Sequence, residues 1–164
     1  MGNSQSKKDI PVKMEREVPA TIPVTKAKRE QLIREAIEAR ENSYSPYSGY
    51  AVGAALLAKN GRIYRGCNVE NASYGATCCA ERNAVFKAVG EGLGKGDFIA
   101  IAVAGGPRNG DLVPSPPCGI CRQVLAEFAN PADFAVLWVT EVTDGKPAYE
   151  LHTLEELLPG AFAL

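Results

Sequence analysis

The chain has almost no histidine: His152 is the only one in 164 residues. It lies far in sequence from the cysteine-bearing segments, and the expectation is a strand-end residue without catalytic work. An excess of one charge sign is also missing. With 18 basic and 19 acidic residues the formal net charge is −1, so the chain lacks the electrostatic footprint of a nucleic-acid-binding surface. No apolar run reaches the ~18 residues that a membrane-spanning helix needs. The N-terminus lacks the apolar core of a secretory signal. The 5 cysteines are an odd number, and four of them fall in or beside two short motifs. That pattern argues against a disulfide framework and for thiol use in a reducing compartment. Internal repeats are absent. The expectation is one soluble, cytoplasmic domain, long enough to bury a core without covalent staples.

What is present reads as alternating helices and strands. Residues 1–24 are expected to form a disordered tail, because Pro11, Pro19 and Pro23 interrupt any periodicity. The domain is expected over 25–164. A first helix is predicted over 25–43, with Thr25 as N-cap and Leu32, Ile33, Ala36 and Ile37 on one face. Strands are predicted over 50–58 and 62–69, joined by a turn in which Asn60 and Gly61 both tolerate positive φ. A helix over 78–90, a strand over 98–104, a helix over 118–129 and strands over 134–140 and 148–151 follow. Thr153-Leu154-Glu155-Glu156 is a capping box opening a short last helix. The fold class is α/β: three layers, αβα, with a mixed five-stranded sheet between helices.

Chemistry concentrates in two places. Cys79-Ala80-Glu81 places a thiol two residues before a carboxylate at the start of a helix. Pro117-Cys118-Gly119-Ile120-Cys121 supplies two more thiols at Cys-x-x-Cys spacing. Order and spacing match the zinc-deaminase signature of ligand-x-Glu followed by Pro-Cys-x-x-Cys, here with cysteine in place of histidine. Three thiolates leave the fourth tetrahedral position of Zn²⁺ for water, and one ion per subunit is expected. Cys78 competes with Cys79 as ligand: positions three apart share a helix face, which would pair Cys78 with Glu81. The signature selects Cys79 and leaves Cys78 to the core. A purely structural zinc module would need a fourth protein ligand and leave Glu81 idle.

Several further segments stand in register with these motifs: Tyr44-Ser45-Pro46-Tyr47-Ser48, Gly66-Cys67-Asn68-Val69-Glu70-Asn71, Arg122-Gln123 and Glu156-Leu157-Leu158-Pro159-Gly160-Ala161-Phe162. On these residues the chain from about 28 to 164 resembles the small zinc-dependent homotetrameric cytidine deaminases. The resemblance implies hydrolytic deamination of cytidine and deoxycytidine, with Glu81 as proton carrier and Arg82 hydrogen-bonding the zinc-bound sulfurs. It implies a ribose clamp of Asn68 and Glu70, base recognition by the Ala80 backbone, and pocket aromatics Tyr50, Tyr74 and Phe162. Phe162 would reach the site of a neighbouring subunit in a homotetramer. Tyr50 departs from the family, which usually has phenylalanine there. The alternatives are a deaminase of another aminopyrimidine nucleoside, of antibiotic type, and a nucleic-acid-editing deaminase, which the balanced charge disfavours. Met1-Gly2-Asn3-Ser4-Gln5-Ser6, followed by Lys7 and Lys8, fits an N-myristoylation pattern at Gly2 and would give weak membrane association.

Overall fold

The computed structural model describes residues 13–14, 20 and 22–162. Its elements in chain order are β1 (Lys13–Met14), α1 (Lys26–Arg40), β2 (Tyr50–Ala58), β3 (Ile63–Cys67), a 3₁₀ turn (Tyr74–Ala76), α2 (Ala80–Gly90), β4 (Phe98–Pro107), α3 (Gly119–Phe128), β5 (Ala135–Thr143), β6 (Lys146–Thr153) and α4 (Leu154–Leu157). The strands form one sheet in the order β1-β6-β5-β4-β2-β3. Pairings β4–β5 and β1–β6 are parallel and the rest antiparallel.

Period-two alternation along the strands divides the core into two layers. Ala54, Leu56, Ile101, Val103, Val136 and Trp138 face α2, α3 and α4. Their neighbours Ala55, Leu57, Ala100, Ala102, Ala135 and Leu137 face Leu32, Ile33 and Ala36 of α1. The three-layer arrangement with five principal strands is therefore as expected. Two glycines let the helices sit directly on the sheet. A Cβ on Gly53 would collide with the α1 backbone at Ala36 and Arg40, and one on Gly66 with the α2 backbone at Ala80 and Ala84.

Several boundaries differ from expectation. The anticipated tail over 1–24 gives way at its end: Ile22 and Val24 are buried, and Lys13–Met14 pairs in parallel with Ala148–Tyr149 as a sixth strand. Pairing with the β6 edge satisfies backbone groups that a short proline-flanked segment cannot satisfy alone. Helix α1 ends at Arg40, not Ser43, because Glu41, Asn42 and Ser43 bond back only three residues. The turn with two positive φ values occurs at Asp144 and Gly145, while in the first hairpin only Gly61 is positive. Thr25 caps α1 by accepting from Lys28 N–H, and the capping box of Thr153 and Glu156 is present.

Candidate metal and substrate site

Cysteines open α2 and α3, two of the three helices on the site's side of the sheet. Cys79 is the N-cap of α2 and Cys118 the N-cap of α3, both in extended conformation, and neither helix start is capped by a side chain. The first-turn amides are thus left for anionic sulfur and for a ligand. Cys121, one turn into α3, is fully buried. The three sulfurs lie within 4.8 Å of one another, and Cys79 Sγ is 3.9 Å from Cys118 Sγ. Bonds of about 2.3 Å to a tetrahedral zinc set sulfurs ~3.8 Å apart, so the donor set fits that ion. Cys78 stays out of the cluster; its backbone pairs with Val69 instead.

The surroundings favour a thiolate at Cys79. Cys79 is lowered to about 5, first because Cys121 hydrogen-bonds its sulfur and then through Arg82 and Cys118. Cys121 is held far above the ordinary thiol range by giving that hydrogen bond and by burial. Arg82 Nη2 donates to the Thr77 carbonyl at 2.9 Å and approaches Cys79 Sγ at 3.7 Å. Its Nε is buried without a partner among the described residues, a donor suited to electron-rich sulfur. Glu81 is only 4% exposed, and burial raises its carboxyl to about 7.

A cavity of about 370 Å³ opens over these groups, lined by Tyr50, Asn68, Cys79, Ala80, Glu81, Ser115 and Cys118 among others. Asn68 Nδ2 donates to the Tyr50 carbonyl at 2.8 Å and its Oδ1 accepts from Val52 N–H at 2.8 Å, tying the end of β3 to the start of β2. Glu70 does not line the cavity. Its carboxylate accepts from the Ser48 hydroxyl and from the N–H groups of Tyr47 and Ser48 at 2.9 and 3.2 Å, which lower its pKa and gather the loop at the cavity rim.

Tyr74 and Phe162 are also outside the lining, at 72% and 69% exposure. Tyr74 packs edge-on against Tyr47, and the Phe162 carbonyl accepts from Gln123. His152 stacks on Trp138 and is not among the lining residues. Gly2 lies outside the described residues. Ser115 and Thr77 join the lining without having been anticipated; the one signal for Ser115 was its place three residues before Cys118.

Residues 26–136 match the model of the "cytidine and deoxycytidylate deaminase zinc-binding region". The chain is 52% identical over 136 residues to a cytidine deaminase of Halalkalibacterium halodurans, covering 82% of this chain and 93% of that protein. It is 42% identical over 129 residues to a cytidine deaminase of Mycobacterium tuberculosis, covering 79% and 85%. The crystal structure of cytidine deaminase from Burkholderia pseudomallei superposes with a TM-score of 0.68 at 44% identity, covering 80% of this chain and 97% of that one.

Proposed function

The chain belongs to the family of zinc-binding cytidine and deoxycytidylate deaminases, and we propose from that premise that it converts cytidine and deoxycytidine to uridine and deoxyuridine, releasing ammonia, with Glu81 carrying the protons. The observation behind this reading is the buried Glu81 carboxyl beside three clustered thiols, with Glu81, Cys79 and Cys118 lining one cavity. Cys79, Cys118 and Cys121 would hold the zinc, which supplies an acidified water as nucleophile. Glu81 would take one proton from the attacking water and pass it to N3 of the base, then take the second from the hydroxyl now on C4 and give it to the amino group, which leaves as ammonia while the C4 carbonyl forms. Without the metal, burial raises this carboxyl to about 7, and desolvation of that kind lets a glutamate hold a proton near neutral pH. Arg82 withdraws charge from the sulfurs, and the Ala80 backbone at the head of α2 meets the base. Asn68 and Glu70 fix the sugar, Asn68 through its remaining Nδ2 hydrogen and Glu70 once its loop contacts rearrange. Tyr50 forms the cavity wall.

Phe162 is assigned to the pocket of a neighbouring copy, which its exposure in its own subunit supports, and Tyr74, also exposed, remains a proposed pocket aromatic. The exposed Phe86 and Ile120 on α2 and α3 likewise support a homotetramer. A cytoplasmic place in pyrimidine salvage follows from the substrate, and no described helix is long and apolar enough to cross a membrane. The Met1–Ser6 motif supports acylation of Gly2 and weak membrane association. Residues 25–164 would be the catalytic domain, preceded by the stabilising strand β1. The deciding assay incubates the protein with cytidine, deoxycytidine, cytosine and single-stranded DNA. Turnover of the two nucleosides alone is expected, and turnover of DNA or of neither nucleoside overturns the reading.

A further inference from the structure

Tyr50 Oη and Ser115 Oγ are 2.7 Å apart, and both residues line the cavity. The direction of that hydrogen bond follows from counting protons. Ser115 Oγ carries one hydrogen and gives it to the Val113 carbonyl, 2.9 Å away. The Tyr50 hydroxyl must therefore be the donor to Ser115. Having spent its only hydrogen, Tyr50 Oη is left with lone pairs alone, an acceptor on the cavity wall.

The arrangement is held from both sides. Val113 pairs with Gly105 on the edge of β4, so the loop carrying Ser115 cannot drift from the strand. Gly105 has no side chain, and a Cβ there would meet Ser115 Cβ at 2.8 Å and the Tyr50 ring at 3.3 Å. The Tyr50 carbonyl, at the other end of the residue, accepts from Asn68.

Resting on the deaminase reading, we propose that Tyr50 is a specificity-determining residue whose phenolic oxygen accepts a hydrogen bond from one sugar hydroxyl, with Ser115 as the positioning residue that makes it an acceptor. A cytosine nucleoside offers two kinds of donor, the exocyclic amine and the sugar hydroxyls. The amine must lie against Glu81 to leave, so the hydroxyls are the donors available to Tyr50. A phenylalanine at the same position would fill the same space and read no hydroxyl.

The test uses the zinc-loaded full chain and four substrates: cytidine and its 2′-, 3′- and 5′-deoxy forms. Tyr50→Phe is expected to lower kcat/KM for cytidine about three- to tenfold, the scale of one neutral hydrogen bond. For one of the three deoxy substrates the same substitution costs nothing, and that substrate identifies the hydroxyl. Ser115→Ala frees the phenol to donate elsewhere, so it reduces the preference of the enzyme for that hydroxyl. In the Tyr50→Phe background Ser115→Ala changes the preference no further. An equal loss on all four substrates, or no loss on any, overturns the proposal while leaving the deaminase reading intact. Failure of the unmodified protein to deaminate cytidine overturns that reading instead.

Discussion

Arg82 reaches back over one helical turn to place Nη2 3.7 Å from Cys79 Sγ. The contact joins the residue after the proposed proton carrier to the first thiol, and both groups act electrostatically on the Glu81 carboxyl between them. Arg82→Gln should raise the Cys79 thiol pKa and cost about 10–100-fold in zinc affinity or turnover. Chelator competition and cytidine kinetics measure the last two, and wild-type values for each would show that the arginine serves only to hold the Thr77 carbonyl.

Glu81→Gln keeps volume and polarity but cannot ferry a proton. Turnover should fall by about 10²–10⁴ or more, with zinc content near wild type. The same variant reports on stability. In chelated protein the folded state holds the Glu81 proton up to about 7, whereas the unfolded chain releases it near 4.5. Stability therefore declines as pH rises through that interval. The glutamine variant should be the more stable protein above pH 7, by on the order of 3 kcal/mol at most, with the gap closing toward pH 4.5. Parallel denaturation curves at every pH would contradict this.

The adjacent thiols should separate cleanly. Cys79→Ala is expected to lose zinc and activity together, because two thiolates remain. Cys78→Ala should retain zinc, as its sulfur lies outside the cluster. Metal analysis of the two variants decides the assignment, and the reverse pattern would move the ligand by one residue. Alkylation adds a check: in chelated, reduced protein Cys79, lowered to about 5, should react at neutral pH ahead of Cys67 and Cys78, which burial raises.

Deleting residues 161–164 should reduce turnover in the assembled protein while zinc stays bound, since Phe162 would be absent from a neighbour's pocket. Sizing under assay conditions accompanies the kinetics. Full activity in a monodisperse monomer would dismiss the shared site.

The metal cluster was legible in the sequence because its chemistry depends on residue types at short fixed spacings. The choice between Cys78 and Cys79 was harder, since helical periodicity is a poor guide at a residue with φ −70° and ψ 157°. It applies only from Ala80 onward. The bond between Tyr50 and Ser115 spans 65 positions, and no periodic signal connects residues so far apart. The β1 pairing was invisible for a different reason: two residues are too few to show alternation, and the stabilising partner is an edge over a hundred residues downstream. The turn with two positive φ values was expected at Asn60-Gly61 on composition, yet it occurs at Asp144-Gly145, because there Thr143 pairs with Lys146 across a two-residue loop, whereas Ala58 bonds Arg62 across three residues in the first hairpin.

Gly66 allows α2 to rest main chain against main chain on β3, with Ala80 and Ala84 at the contact. Asn68 follows on the strand side and the Cys79–Glu81 turn opens the helix side. Their separation is therefore set by two backbones rather than by the bulk of any side chain. Across the sheet, α1 packs in a layer that shares no lining residue with the cavity. Volume-conserving substitutions in that layer can repack without touching a lining residue. The sheet thus separates a layer felt at the cavity only through its packing from one whose backbone spacings are the cavity's own dimensions.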